Sequence, residues 1–533
     1  MNNSNKLRSI FILLILITLS LTISYTYYFN HLAISQSSII FNDEIYKDKT
    51  SLYFLIHNNT PSFLFVIINF FLNVGISVNL INLILTFTST FTYVLGIYLI
   101  SKFITSSIIL SILISLTAVF LSKNLGDIDY PALMFHHHTA GVLSLSLSTL
   151  IFGLMTLRNL LFAFIISLFL LSIHLTVGIY MFGLLLFSLL LFSNTKDKIL
   201  LLTNNKDKIN FFIIGITLLF VIFFYIYWFI NISADLPYEF NKKDYEEYFI
   251  NIEAHRTNYG NLKNFNLDYI LKTLFVVISV LLYLKFNEKS SHNSFFFKTL
   301  IISIVGSGTL YFSYKIFPKM FPEIIIQGMP NRFFLLHTVI GFPVILSVFY
   351  KFLEKLFLYK NLNKNYSILL VVVIIMFHMI QQTDSLKNRF ENIKEIKKNK
   401  VDEKIFWSKV KDLEIKGYTL TSNFLCERTI IYSNLPILFC FESLDYIPTI
   451  PKLASPVKKM QNKILGISFE DLKIKNIGGV SNNEIKTIYQ NKNYEEWLAL
   501  KKDMDLEAII VPKDWNLKLN LILDDKYKVY DIK

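Results

Sequence analysis

The amino-acid sequence predicts a polytopic α-helical membrane protein of about eleven spans, followed by a C-terminal mixed α/β domain outside the cytoplasm. Of its 533 residues, 53% are hydrophobic and only 17% are charged, whereas soluble proteins carry about 25% charged residues. Apolar runs long enough to cross roughly 30 Å of hydrocarbon recur as far as residue 382 and then stop. We therefore expect a transmembrane domain over residues 1–383 and a soluble domain over residues 384–533.

The net charge of +13 favours a membrane, not a nucleic acid, as the partner of this chain. Many lysine and arginine residues lie in short loops between apolar runs, where they set the orientation of the spans in membrane lipid. The first run follows Lys6 and Arg8 and lacks a clear small-residue cleavage site, so we interpret it as an uncleaved signal anchor. The predicted spans cover residues 9–29, 77–101, 103–121, 139–157, 159–173, 176–193, 209–231, 268–286, 295–316, 333–353 and 366–382.

Residues 52–75 are apolar enough to span the membrane, but we expect them not to. Pro61 divides this run, and a polar triplet lies at 57–59. Counting the run as a span would place Lys102 and Arg158 outside, whereas leaving it out places the basic loops inside. The run is therefore predicted to be a helix or helix pair in the outer interface. The protein is then an integral protein of the plasma (inner) membrane, with its N terminus in the cytoplasm and its C-terminal domain outside.

The histidines are distributed unequally in this topology. All of the ten except His292 fall in outer loops or near the outer ends of spans. Imidazole groups are costly within lipid and usually line a polar cavity. The distribution indicates a functional site at the outer face of the membrane.

The first outer loop carries a short acidic sequence, Asn42-Asp43-Glu44-Ile45-Tyr46. Adjacent carboxylates beside an apolar surface suit a general base or a metal ligand. Asp43 and Glu44 are therefore candidate catalytic residues, and the alternative is a solvated loop end.

The second outer loop, 122–138, contains Asp127, Asp129 and three consecutive histidines at 136–138. Oxygen and nitrogen ligands of this kind bind divalent metals such as Mg²⁺, Mn²⁺ or Zn²⁺. Adjacent helical residues point about 100° apart, so we expect only one or two of the histidines to face one ion. The candidate ligands are Asp43, Asp129, His136 and His138, and the alternative is an interfacial polar cluster that binds phosphate or water.

Two further outer loops carry cations. His255 and Arg256 lie in the loop 232–267, and Arg332 ends the loop 317–332 directly before a span. An arginine at the lip of a helix is able to hold a phosphate through two parallel hydrogen bonds. The alternative for Arg332 is a side chain that reaches towards lipid headgroups.

The soluble domain is predicted to be mixed α/β, and its two cysteines, Cys426 and Cys440, either pair or remain buried thiols. The sequence contains no Walker A loop, G-x-S-x-G elbow, dinucleotide fingerprint or HExxH motif, so cytosolic nucleotide-driven chemistry has no support. The expected elements are helices 385–416 and 493–504 and strands 418–422, 428–433, 436–441, 506–511 and 526–531.

The order and spacing of several short motifs add to this interpretation. In chain order they are an acidic motif after the first span, a segment that begins with proline, the start of the second span, and a polar break between two short spans. A span that starts with arginine and aromatic residues follows late in the membrane domain, and two closing segments lie at 507–511 and 527–531. The first five read Asp43-Glu44-Ile45-Tyr46, Pro61-Ser62-Phe63-Leu64, Gly75-Ile76-Ser77-Val78-Asn79, Ser172-Ile173-His174-Leu175-Thr176 and Asn331-Arg332-Phe333-Phe334-Leu335-Leu336.

Together these features resemble the GT-C superfamily of membrane glycosyltransferases, which includes the oligosaccharyltransferase catalytic subunit, protein O-mannosyltransferases and the lipid A aminoarabinose transferase. The resemblance implies transfer of a sugar from a polyisoprenyl-phosphate donor to a glycan, lipid or protein acceptor. By this resemblance, Asp43 matches the catalytic or metal-binding acid with Glu44 beside it. Asp127 or Asp129 matches a second acidic position whose surrounding pattern is blurred here. Arg332 would bind the donor phosphate, a role also open to His255 and Arg256.

The alternative functions are those of a polysaccharide polymerase or ligase and of a lipid-linked-sugar transporter or flippase. A polysaccharide polymerase or ligase would rely on arginine and histidine in one large central loop, and the acidic first loop and large C-terminal domain count against it. A lipid-linked-sugar transporter or flippase would place polar residues near mid-membrane and often shows two similar halves. The sequence shows neither of these two features.

Overall fold

The computed structural model describes most of the chain, and it is mostly helical. The described residues are 3–25, 32–120, 139–192, 205–252, 267–286, 294–316, 339–381 except 361, 362 and 364, then 387, 391, 402–471 and 480–533.

Each of the eleven predicted spans contains a helix. Among the residues that the structure describes, three helical stretches are long and apolar enough to cross a membrane by length and composition, namely Leu7–Tyr25, Val78–Thr105 and Phe212–Ile232. This is typical of a membrane protein, and the number of eleven spans stays a prediction. The helices are α1 (Asn3–Tyr25), α5 (Val78–Thr105), α6 (Ile108–Phe120), α7 (Ala140–Thr156), α8 (Leu160–Ile173), α9 (Leu175–Phe192), α10 (Asn205–Tyr227), α12 (Leu267–Phe286), α13 (Ser294–Ile316), α14 (Gly341–Tyr359) and α15 (Asn365–Gln381).

The break predicted at Pro61 is confirmed. Helix α3 (Leu52–Asn58) and helix α4 (Phe63–Asn73) are bent by 107° at the intervening residues, and the pair counts as a fourth span only if both helices belong to it. The preceding helix, α2 (Leu32–Phe41), is short and mostly buried. Because a proline lacks the N–H that a continuous helix requires, Pro61 separates the two helices.

Close approach of two backbones fixes the centre of the helical bundle. A Cβ atom added at Gly96 of α5 would lie 2.5 Å from the carbonyl oxygen of Thr149 in α7, and one added at Gly153 would lie 2.9 Å from Gly96 itself. Small residues at a crossing allow helices in lipid to pack through their backbones. Helices α5 and α7 therefore pack in direct contact at this crossing.

The C-terminal domain contains a four-stranded mixed sheet in the order β1-β2-β4-β3. Strand β1 is parallel to β2, and the other two pairings are antiparallel. The strands are β1 (Tyr418–Thr421), β2 (Leu506–Pro512), β3 (Asn520–Asp524) and β4 (Tyr527–Asp531). The other α-helices in the described part of the chain are α11 (Lys242–Asn251), α16 (402–411), α17 (Cys426–Ser433), α18 (Ala454–Leu465), α19 (Asn482–Asn491) and α20 (Tyr494–Met504).

Two of the expected strands are wrong. Residues 428–433 belong to α17, in which Cys426, Thr429, Ile430 and Ser433 are buried with the spacing of a helix. The β-branched residues of this segment favoured a strand, but packing of one helical face prevails over that weak local preference. Residues 436–441 form only an isolated bridge, between Ile437 and Thr419.

Segments from three parts of the chain build the core of the C-terminal domain. Its main hydrophobic cluster contains residues of the domain itself together with all of the apolar side chains from Leu52 to Ile56 and two tyrosines of α11. Helix α3 is buried along its whole length of seven residues. The first and third outer loops of the predicted topology are therefore part of this core.

Candidate functional site

The acidic turn that carries Asp43 and Glu44 follows directly from α2 and lies at the surface of the C-terminal domain. The Asp43 side chain is 79% exposed and forms an ion pair with Lys49 at 3.0 Å. Glu44 is also exposed and has no ion-pair partner among the residues that the structure describes. The sequence placed these carboxylates beside an apolar surface, and in the structure both are accessible to solvent.

Hydrogen bonds to Asn42 close this turn and connect it to α2. The Asn42 side-chain oxygen accepts from the Glu44 N–H at 3.1 Å, and the Asn42 carbonyl accepts from the Ile45 N–H at 3.1 Å. The Asn42 N–H in turn donates to the Ser38 carbonyl at the end of α2. Asp43 and Glu44 therefore lie within a short closed turn that continues a helix.

Tyr46 joins the turn to the C-terminal domain. Its hydroxyl group donates to the Ile437 carbonyl at 3.0 Å and accepts from the Ile437 N–H at 2.9 Å. Burial raises the pKa of Tyr46 well above its usual value, so the hydroxyl remains a donor.

Helix α11 binds the C-terminal domain through hydroxyl groups and ion pairs. Tyr245 donates to the Pro448 carbonyl at 3.1 Å, and Tyr248 donates to the Leu444 carbonyl. Lys458 of α18 contacts Asp244 at 3.1 Å and also Glu247. This contact fixes one end of the loop in which the sequence placed His255 and Arg256.

Electrostatics of this contact are set by Lys458. Burial alone would raise the pKa of Asp244, but hydrogen bonds from Ser455 and Lys458 outweigh it and hold that pKa below its usual value. The hydrogen bond from Lys458 likewise lowers the pKa of Glu247. Burial opposes the charge of Lys458, yet its bonds to these carboxylates raise its pKa. All three groups are therefore charged at neutral pH.

A second layer of contacts ties the corner between α3 and α4 to the helical bundle. The Asn58 side chain donates to the Ile232 carbonyl at 2.5 Å, and the Trp228 indole donates to the Asn58 carbonyl at 3.1 Å. Ser62 donates to the Ile173 carbonyl at the end of α8. We call the hydrophobic cluster around this corner the junction layer; it contains residues of α2 and α4, the beginnings of α5 and α7, the end of α8, and Phe224 and Trp228.

The C-terminal domain also touches the junction layer. Ile431 of α17 packs against it, and the Gln36 side chain of α2 donates to the Tyr446 hydroxyl group. The acidic turn thus joins α2, which packs in the junction layer, to Tyr46, which is buried in the core of the C-terminal domain.

No protein-family model matches the sequence. No curated protein matches it significantly either. The case for a function therefore depends on the residues of this chain alone.

Most of the predicted site lies outside the described residues. This applies to Asp127, Asp129, His136, His138, His255, Arg256 and Arg332. Asp43 and Glu44 are described, and among the described residues no group of three histidine, cysteine, aspartate or glutamate side chains is arranged to hold a metal ion. A divalent metal therefore stays a prediction for a site in which Asp43 would supply one oxygen ligand.

The residues that hold the site together were not predicted from the sequence. Tyr46 was noted only as part of a motif, and Lys458 and the tyrosines of α11 were not singled out. A signal was present for α11, because Tyr245, Tyr248 and Ile252 recur with helical spacing in a polar loop. Their partners in the C-terminal domain lie about 200 residues away, as with Tyr245 and Pro448 at a separation of 203, and no local pattern indicates them.

Proposed function

We propose that this protein transfers a sugar from a polyisoprenyl-phosphate-linked donor to a glycan, lipid or protein acceptor at the outer face of the membrane. The observation that carries the proposal is the accessible carboxylate of Asp43, held in a closed turn that connects α2 in the junction layer to the C-terminal domain. A carboxylate in this place is open to an acceptor, and the helix that precedes it packs with apolar helices of the kind that a prenyl chain requires.

The proposed reaction is an inverting displacement. An oxygen lone pair of the acceptor hydroxyl forms a bond to the anomeric carbon while the bond from that carbon to the donor phosphate oxygen breaks. The hydroxyl proton passes to the Asp43 carboxylate, and the electron pair of the broken bond leaves with the prenyl phosphate. Glu44 beside it orients the acceptor through hydrogen bonds.

Cations stabilise the leaving phosphate in this scheme. Arg332, His255 and Arg256 are the proposed phosphate-binding residues, because preorganised positive charge lowers the barrier where negative charge develops. A divalent metal held by Asp43, Asp129, His136 and His138 would supply the same neutralisation.

The disulfide supports placement of the C-terminal domain outside the cytoplasm. Cys426 and Cys440 are the two cysteines of the chain, and they are paired. Disulfides persist in oxidising compartments and are rare in the cytosol. A C-terminal domain on that side would have Asp43 there as well, because α3 and Tyr46, three residues after Asp43, are built into its core.

The test is a comparison of two carboxylates of the same loop in a sugar-transfer assay. Asp43→Asn is expected to lower transfer at least about 10²-fold, the usual contribution of a general base, while donor binding is retained. Asp48→Asn is the matched control, since Asp48 is exposed, lies five residues further along, and its carboxylate accepts hydrogen bonds from the N–H and the hydroxyl group of Thr50. Full transfer by Asp43→Asn would contradict the role of Asp43.

A further inference from the structure

We propose that Tyr46 is a positioning residue for the transfer reaction, because it fixes the turn of Asp43 and Glu44 to the sheet of the C-terminal domain. The chemical meaning of this inference rests on the proposed function. Its mechanical part, that Tyr46 holds the turn, is measurable without any reaction.

The Tyr46 ring is 1% exposed and packs between aromatic neighbours. The centroid of its ring lies 6.3 Å from that of Tyr53 and 5.9 Å from that of Phe54, both in α3. Aromatic pairs at such distances are attractive beyond the area that they bury. Helix α3 therefore packs against the ring, and the hydroxyl group bonds to Ile437.

The backbone at Ile437 is a firm attachment point. The Thr419 N–H of β1 donates to the Pro436 carbonyl at 2.8 Å, and the Leu438 N–H donates to the Thr419 carbonyl at 2.9 Å. Three residues after Ile437, Cys440 is bonded to Cys426 of α17. The partner of Tyr46 is thus fixed to the edge of the sheet by hydrogen bonds and by a covalent link.

Only two residues separate Asp43 from Tyr46, and the hydrogen bonds from Glu44 and Ile45 to Asn42 close the turn between them. The other end of the turn continues α2. A displacement of the backbone that carries Asp43 therefore requires either that these turn bonds break or that Tyr46 leaves Ile437. The C-terminal domain acts in this way on the position of the catalytic carboxylate.

The experiment compares Tyr46→Phe with Tyr245→Phe in the full-length protein. Both variants lose one buried tyrosine hydroxyl that donates to a backbone carbonyl of the C-terminal domain, at 3.0 Å and 3.1 Å respectively. Only Tyr46 is joined to the acidic turn. Hydrogen–deuterium exchange of the backbone amides of residues 42–50 is measured first, because it needs no substrate.

We expect exchange at residues 42–50 to accelerate about tenfold in Tyr46→Phe, which loses two hydrogen bonds to Ile437, and to stay within about twofold of wild type in Tyr245→Phe. With a polyprenyl-phosphate sugar as donor, kcat is expected to fall about tenfold in Tyr46→Phe while the KM for donor stays within about twofold. A purely structural role would lower activity and thermal stability equally in both variants.

Equal exchange in the two variants would overturn the positioning role. Accelerated exchange in Tyr46→Phe with unchanged kcat would also overturn it. A different result bears on the proposed function alone: if wild type transfers no sugar, or Asp43→Asn retains full transfer, the reaction is wrong while the exchange data still decide whether Tyr46 holds the turn. If Tyr46→Phe does not fold, Asn42→Ala loosens the turn from its other end and is expected to give the same acceleration and the same loss of kcat.

Discussion

At the scale of single residues, Lys458 carries an unusual share of the contacts between chain segments. Its ammonium group contacts Asp244, Glu247 and, at 3.3 Å, Glu470. The side chains of Lys458, Asp244 and Glu247 retain only 15 to 18% exposure. An ion pair that is this well shielded contributes more than a surface pair, because removal of one partner leaves carboxylates poorly solvated.

We predict that Lys458→Gln lowers the free energy of local opening of α11 by about 1–2 kcal/mol. The expected value is small because the groups are partly exposed. The measurement is hydrogen exchange of the α11 amides, corrected for the intrinsic rate at each pH. Lys463→Gln is the matched control, since Lys463 lies on the same helix and pairs with Asp503 at 44% exposure. Equal protection of α11 in both variants would contradict the role of Lys458.

The same contact makes the attachment of α11 dependent on pH. The lowered pKa values of Asp244 and Glu247 mean that their stabilisation is present above the usual carboxyl pKa and is lost as the pH falls through the folded values. The raised pKa of Lys458 means that its stabilisation is lost only as the pH rises above the usual lysine value. Protection of α11 is therefore greatest between roughly pH 5 and pH 10. In Lys458→Gln the loss of α11 protection as the pH falls should be smaller than in wild type.

Single residues of the site were predictable only in part. The sequence indicated Asp43 and Glu44 because adjacent carboxylates after a first span are conspicuous. Their environment was not predictable. The exposure of Asp43 depends on the hydrogen bond by which Tyr46 holds the turn to Ile437, and these two residues are 391 positions apart in the sequence. The ion pair with Lys49 was visible in principle, because Lys47 and Lys49 follow closely in the sequence.

At the scale of elements, the crossing of α5 and α7 tests how the bundle is packed. We predict that Gly96→Ala lowers the free energy of unfolding by about 1–3 kcal/mol, because the new Cβ meets the Thr149 backbone and the helices must separate. Gly215→Ala is the control, since a Cβ atom there meets nothing within 4 Å. Unfolding in a denaturing detergent measures both. Equal stability of the two variants would contradict the close crossing.

The bundle helices were predictable because length and hydrophobicity alone identify them, and the break at Pro61 follows from the missing N–H of proline. Helix α17 was missed for the opposite reason. Its sequence, with Thr429, Ile430 and Ile431 in succession, favours a strand locally, whereas the burial of one helical face and the bond from Cys426 to Cys440 stabilise a helix. Tertiary contacts decided the element, and these are not visible in a local pattern.

At the scale of the whole molecule, the C-terminal domain is a composite of three chain segments. Tyr46, Tyr53 and Phe54 from the first segment are all at least 96% buried in its core. Burial of such a side chain contributes roughly 1.5–3 kcal/mol, so three of them approach the total stability of a typical domain. The acidic turn and the C-terminal domain therefore form one folding unit, which was not evident from a boundary drawn at residue 384.

The disulfide tests the side of the membrane on which this unit lies. We predict that protein from intact cells, denatured without reductant, reacts with no maleimide, and that it reacts with two equivalents after reduction, because Cys426 and Cys440 are the only cysteines. Replacement of both by serine should lower the stability of the domain by about 3 kcal/mol, the usual effect for a closed loop of this length. Two reactive thiols before reduction would contradict the extracytoplasmic placement.

The measurement that tests the central claim most directly is sugar transfer by the purified protein in proteoliposomes, with a panel of labelled polyprenyl-phosphate sugars, with and without EDTA. The account predicts that label from one donor moves covalently to an acceptor or to water and that Asp43→Asn abolishes this release. The EDTA arm decides whether a divalent metal takes part. Movement of intact donor across the bilayer, with no bond broken for any donor, would contradict the account and identify a transporter.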